Sequence, residues 1–298
     1  MRNIRTIERR VLVPCMLVTS VIFMNCSETT EPVGPAPEAS PPGVSADEYT
    51  FSAIEPPGAT WSGILGINAQ GDMVGTYAAG GPGRGFLLRR GRFTSIDVPG
   101  AFETTAMSIN SRGDILGVYF DGSTHHGFLL RDGLFTTLDV PGAPGTLLRG
   151  MNDAGDIVGI TNLSAPNSFF LRDDQYTTIA FPGASFTEVW GINSRADIVG
   201  FYTTTATHGF VLRGGGYTTI DVPGAVFTQA QGINSHGDIV GMYSTGPTFH
   251  GFVLRNGVFT TLDVAGAIST SAQGIGPEGQ VVGYYVAGGL THGFVARR

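Results

Sequence analysis

The stretch FSAIEPPGA (residues 51–59) has five later near-copies, the next being FTSIDVPGA (93–101). Each later copy follows a segment of the HGFLLRDG kind (126–133), but nothing of that kind precedes the first. The chain stops at HGFVARR (292–298), where another copy would be due. It therefore opens with the second half of its own repeat and stops with the first. Between these halves a segment like GINSHGDIVG (232–241) recurs, with Asn68, Asn110, Asn152, Asn193 and Asn234 at its heart and Gly276 in the sixth copy. The successive spacings are 42, 42, 41, 41 and 42, a constant period that marks a repeat architecture.

Each unit carries two hairpin signals. In INSRGDI the four residues ending at Gly113, just before Asp114, suit a type I turn closed by a left-handed glycine. Ala196 stands in that glycine's place once, at some cost in strain. Asp132-Gly133 and Asn256-Gly257 are type I′ dipeptides between β-rich runs. Four strands per unit follow, and the connection after FTTID is too short for a crossover helix. The pattern predicts an all-β fold: a six-bladed β-propeller over 49–298 with four antiparallel strands per blade. The strand around Phe51 then joins the blade that ends at Arg297, so the ring closes and leaves no free edge.

GINSHGDIVGMY (232–243) and HGFVLRNG (250–257) resemble the bacterial extracellular repeats named for a His-Ala-Phe signature, with glycine in place of alanine. The resemblance covers all six units. It implies export and a propeller-like fold, and carries no established activity.

Arg2, Arg5, Arg9 and Arg10 precede the apolar run VLVPCMLVTSVIFM (11–24), the order of charge and apolarity in a secretory signal. That run, interrupted by Pro14, is short for a bilayer of about 30 Å. Cys26 follows at the position of the lipidated cysteine in bacterial lipoproteins, although Phe23, Met24 and Asn25 depart from the usual small residues before it. Residues 1–26 therefore read as an export signal, ordinary or lipoprotein-type, and 27–48 as a disordered tether rich in proline and acidic residues. The expected location is the cell envelope or the medium, with a lipid on Cys26 as the only membrane contact.

All 17 basic side chains are arginine, which excludes Schiff-base and Walker-lysine chemistry. A net charge of -7, with no basic run after Arg10, argues against nucleic-acid binding. Both cysteines lie in the leader, so the repeat domain has no thiol nucleophile, disulfide or thiolate metal site. No cofactor and no metal are expected, and the domain is expected to act as a monomer.

Counting outward from the two-residue turns places Tyr119, His126 and Asp139 side by side on adjacent strands. The same count aligns Tyr202, His208 and Asp221, then Tyr243, His250 and Asp263, and finally Tyr285, His292 and Glu55. A carboxylate can orient an imidazole as a base. Repetition in four units without a shared Ser or Cys points instead to structural brackets.

Function should sit where the units differ. The aligned positions before GIN hold Leu65, Met107, Arg149, Trp190, Gln231 and Gln273. The loops expected before them hold Trp61, Phe102, Glu103, Phe186, Glu188, Phe227 and Gln229. Aromatic rings interleaved with Gln, Glu and Arg suit a glycan or an envelope protein at one mouth of a propeller channel. The expected function is a non-catalytic binding module. The alternatives are a propeller hydrolase or lyase using Glu103 and Glu188 on an extracellular glycan, and a structural surface protein without a small ligand.

Overall fold

The computed structural model describes residues 49–161 and 167–298, all within the compact unit Glu38–Arg298. The expected export signal, Cys26 and the tether lie outside the described residues. Among these, every regular element is a strand, as glycine punctuation and short β-branched runs dictate.

The strands form four-stranded antiparallel meanders in chain order. β1 (Thr50–Ile54) is followed by β2 (Trp61–Ile67), β3 (Met73–Ala78), β4 (Arg84–Arg89) and β5 (Arg92–Ile96), the last four making the first sheet. β6 (Glu103–Ile109), β7 (Ile115–Phe120), β8 (His125–Arg131) and β9 (Leu134–Thr137) make the second. The third is β10 (Leu147–Met151), β11 (Ile157–Ile160), β12 (Ser168–Arg172) and β13 (Gln175–Ile179). β14 (Phe186–Ile192), β15 (Ile198–Thr203), β16 (Thr207–Arg213) and β17 (Gly216–Ile220) come next. Then follow β18 (Phe227–Ile233), β19 (Ile239–Ser244), β20 (His250–Arg255) and β21 (Val258–Leu262), tied to the preceding sheet by one parallel bridge between Thr207 and Phe227. β22 (Ser269–Ile275), β23 (Val281–Ala287) and β24 (Leu290–Arg297) complete the chain. Their fourth strand is β1, which runs antiparallel to β24 with Phe51 opposite Ala296 and Ile54 opposite Gly293.

The turns follow the chemistry of their residues. Asp132-Gly133 and Asn256-Gly257 both take positive φ at both positions, the type I′ geometry, and Ala196 is held at φ 60° where its counterparts are glycine. In the second sheet Gly117 faces Phe128. A Cβ on Gly117 would fall 2.2 Å from the Thr105 carbonyl oxygen and 2.5 Å from the phenyl ring, so only glycine lets that ring lie flat on the strand. Phe86, Phe128, Phe210, Phe252 and Phe294 occupy this repeated place and are fully buried.

Apolar packing is shared between successive sheets. Val74 and Ile96 of the first join Ala106, Ile115 and Phe128 of the second. Ile64, Met73 and Phe86 of the first also pack with Val282 and Val295 of the last. The first strands of the sheets, β2, β6, β10, β14, β18 and β22, lie beside one another in that order, and β22 lies beside β2. The architecture is that of a β-propeller-like protein.

Candidate functional site

The site grows from a defect repeated in every first strand. Pairing with the second strand skips one residue in each of β2, β6, β10, β14, β18 and β22. The skipped residues are Leu65, Met107, Arg149, Trp190, Gln231 and Gln273, the six aligned positions at which the repeats differ. A bulge exempts one residue from the ladder and re-aims its side chain. Glycine after the bulge lets neighbouring first strands close up: a Cβ on Gly191 would stand 2.8 Å from the Gln231 carbonyl oxygen.

Four adjacent first strands, β10, β14, β18 and β22, thereby bring a polar cluster together in the interior. Arg149 Nη2 donates to Glu188 Oε1 at 2.7 Å, and the guanidinium lies over the Trp190 ring at 4.3 Å. All three residues are buried, Glu188 completely. Gln231 Oε1 accepts from Ser271 Oγ at 3.1 Å and from Gln273 Nε2 at 2.9 Å. With its oxygen on these two donors, the Gln231 NH₂ points away from them. Arg149 Nε, Glu188 Oε2, Trp190 Nε1 and Gln231 Nε2 are buried with no hydrogen-bond partner in the protein. Buried polar atoms without partners are rare, and four on neighbouring strands mark a place built to meet something else.

Burial pushes the Glu188 carboxyl above its ordinary pKa, against the opposing pull of Arg149. His125, on β8, is shifted the other way: burial, then the neighbouring His126 and Arg149, lower its pKa and favour the neutral imidazole. A carboxyl that retains its proton beside a set of unspent N–H donors can hand a proton to one atom while negative charge develops on another. Among the described residues, no group of three or more His, Cys, Asp or Glu side chains could hold a metal ion.

Of the residues expected at a channel mouth, some stand at the starts of first strands and others are buried within them. Trp61, Glu103, Phe186 and Phe227 open strands β2, β6, β14 and β18 rather than lying in loops, and are half-buried. Phe186 stacks on Phe201 at 5.6 Å, and Phe227 meets Phe249 edge-on at 5.3 Å. Phe102 is 57 % exposed and touches Phe120. With Glu103, Arg84 and Asp97 it lines a groove of about 550 Å³ to which Glu188 does not contribute. Burial raises the pKa of Glu103, while Asp97, despite its own desolvation, is held low by Arg84 and Ser95. The two acids expected to act together, Glu103 and Glu188, thus occupy different environments. Gln229 and Gln273 are buried with Gln231.

The bracket register is laid out as counted from the turns. Tyr119 faces His126, whose Nδ1 lies 2.7 Å from Asp139 Oδ2. His208 lies 3.0 Å from Asp221, His250 lies 2.8 Å from Asp263, and His292 of β24 lies 2.6 Å from Glu55, just past β1. Tyr202, Tyr243 and Tyr285 stand opposite their histidines in the same way. The tyrosine rings lie against the imidazoles, with centroids 5.0 to 5.3 Å apart. Three of the hydroxyls turn to threonines on the fourth strand: Tyr119 to Thr137, Tyr202 to Thr219 and Tyr243 to Thr261.

Two features were hidden in the sequence. The recurring asparagine serves as a clasp: Asn193 Oδ1 accepts from the backbone N–H of Arg195 and of Asp197, while its amide donates to the Asn234 carbonyl of the next sheet. Asn68, Asn152 and Asn234 donate to the following sheet in the same way. The bulges left only one signal, variation among the copies at the aligned position, which the positions two and four residues earlier share.

No family model matches the chain, and no curated protein matches it. Solved structures resemble it in fold. A gluconolactonase from Xanthomonas campestris is 14% identical over 89% of this chain and 98% of its own, with a TM-score of 0.52. The SapL1 lectin, solved with alpha methyl fucoside, is 14% identical over 77% of this chain and 90% of its own, also at 0.52. A streptogramin B lyase is 13% identical over 85% of this chain and 98% of its own, at 0.49. The expectation of a non-catalytic binding module is corrected here. A gluconolactonase stands among the similar structures, and of the polar residues assigned to a ligand surface Arg149, Glu188, Gln229, Gln231 and Gln273 are interior, with an acid and unspent donors in one cluster.

Proposed function

We propose that the chain is an exported, six-bladed β-propeller enzyme, a hydrolase or lyase of an extracellular glycan, with Glu188 as its acid–base group. The six-bladed ring is supported by β1 completing the sheet of β22 to β24 and by the packing of Ile64 against Val282 and Val295. In such a ring the first strands of the sheets line the central channel. Export is supported by the arginine-led apolar leader and the His-Gly-Phe repeats, with Cys26 as the lipid attachment point.

One observation carries the catalytic reading: Glu188 holds one oxygen against Arg149 and keeps the other unpaired, inside a cluster whose other unpaired atoms are N–H donors. Arg149 orients the carboxyl, and burial raises its affinity for a proton. That proton can pass to the oxygen of a breaking C–O bond. Glu188 then regains a proton, from the attacking water in hydrolysis or from the carbon beside a carbonyl in elimination, where Arg149 Nε and Trp190 Nε1 can meet the carbonyl oxygen that gains negative charge.

The test is a screen of extracellular glycans with the purified chain, following new reducing ends for hydrolysis and ultraviolet absorbance of unsaturated products for elimination. At least one glycan should be cleaved, and Glu188→Gln should lower the rate about 100-fold or more with an unchanged melting curve. Cleavage undiminished in Glu188→Gln, or none by the parent protein, refutes the proposal.

A further inference from the structure

We infer that the substrate presents a carboxylate to the buried cluster on β10, β14 and β18, as a uronate of an acidic glycan does. This rests on the active-site reading above and adds the chemical class of the substrate to it.

The donor arithmetic is one-sided. Arg149 Nε, Trp190 Nε1 and Gln231 Nε2 all present N–H groups with no acceptor in the protein. Trp190 and Arg149 have no acceptor capacity of their own. Gln231 is placed with its oxygen accepting from Ser271 and Gln273, which leaves its NH₂ as the third donor. Glu188 Oε2 is the one unpaired acceptor, and when Glu188 carries its proton it becomes another donor. A group with several lone pairs and no hydrogens answers such a site, and a carboxylate is the common one in glycans.

Charge favours the same answer. Arg149 is buried, and its single ion pair is to Glu188. The pair is buried on both sides, so the guanidinium has one counter-charge and no solvent. An incoming anion adds a second counter-charge.

The experiment is calorimetric titration of the full chain with glucuronate and galacturonate, and with glucose and galactose as neutral twins. The acids should bind about tenfold tighter than the twins or better, the margin of a charge-assisted hydrogen bond. Trp190→Phe, which keeps the ring and removes the N–H, should weaken the acids about threefold or more. Gln231→Glu still accepts from Ser271 and Gln273 but turns a carboxylate toward the ligand, and should abolish acid binding. Melting curves establish that both variants are folded. Glu188→Gln should bind the acids as tightly or tighter, since Arg149 then lacks its partner. Equal binding of acids and twins, or no binding of acids by the folded parent chain, overturns the inference. If a neutral glycan is cleaved while the acids do not bind, the enzyme reading stands and the carboxylate falls. If acids bind as described and no glycan is cleaved, carboxylate recognition stands and catalysis falls.

Discussion

Removal of residues 49–57 tests the closure of the fold directly. The deletion takes away β1, whose five residues from Thr50 to Ile54 pair with Arg297 to Gly293 of β24. A strand of this length contributes about four ladder hydrogen bonds at roughly 0.5–1.5 kcal/mol each, or about 2–6 kcal/mol. The edge-on contact of Phe51 with Phe294, centroids 5.4 Å apart, adds about 0.5–1.5 kcal/mol beyond its area. Ser62 Oγ also loses its acceptor, the Ile54 carbonyl, and His292 loses Glu55. The total of about 3–8 kcal/mol overlaps the whole stability of an ordinary domain, about 5–15 kcal/mol, and it bares the edge of β24 to self-association. Urea unfolding and light scattering should show a truncated protein that is strongly destabilised and aggregates, while removal of residues 27–43 leaves the transition in place. A paired test uses Thr50→Cys with Arg297→Cys, both exposed and directly opposite, in a chain starting at residue 27 that has no other cysteine. Oxidation should give an intrachain disulfide. Crosslinks only between chains, or a truncated protein that unfolds like the parent, would refute closure by the protein's own first strand.

Ala196→Gly should stabilise the protein by about 0.5–1 kcal/mol, because a left-handed alanine costs about 1–2 kcal/mol and the added glycine entropy returns part of it; the urea midpoint reads this. Asn193→Ala should cost about 1–3 kcal/mol by the same assay, since two backbone N–H groups and the Asn234 carbonyl lose their partner. The hydrogen bond to Asp139, aided by Asp121, raises the pKa of His126. Its stabilisation is therefore complete below the unfolded value of about 6.5 and fades as pH rises through the folded value, so the stability gap between the parent and Asp139→Asn should shrink along that rise. Cys26→Ser should release the protein from the membrane fraction if Cys26 bears a lipid, and unchanged fractionation removes that anchor.

The architecture was legible because its determinants are local and repeated. Two-residue turns such as Asp132-Gly133 fix a hairpin register, and register then settles which side chains stand opposite one another, from Tyr119 and His126 to Gly117 and Phe128. The loss of Thr161, Asn167 and Ala180 as a bracket set in the third unit could be counted in the same way. Depth could not be counted. Glu188 and Glu103 look alike in the sequence, one near the start of β14 and the other at the start of β6, yet one is fully buried against Arg149 and the other lines an open groove. The distinction depends on how closely first strands of different sheets approach, which no period of two reveals. The clasp role of Asn193 was hidden for the same reason, since half of its bonding lies across a sheet boundary.

A symmetric repeat gives every sheet the same chemistry, so a site that acts on one face of a substrate needs the symmetry broken somewhere that costs little stability. Ladder positions that pack against a neighbouring sheet, as Val189 and Ala230 do, are poor candidates. The bulge residue is exempt from pairing, and its changes leave the strand intact on both sides. The copies differ there, and also at the ladder position two residues earlier that holds Glu188 and Gln229. β2 and β6 carry Leu65 and Met107, whereas β10, β14, β18 and β22 carry Arg149, Trp190, Gln231 and Gln273 without interruption. The bulge positions thus have an apolar arc and a polar arc, with Glu188 placed on the polar side by its bond to Arg149. On the proposed function, a substrate held there would meet hydrogen-bond donors along one edge only, which would orient it relative to Glu188. Exchanging Gln231 and Leu65 would keep composition and fold but break the polar arc, and the reasoning requires that acid binding be lost while the melting curve is kept.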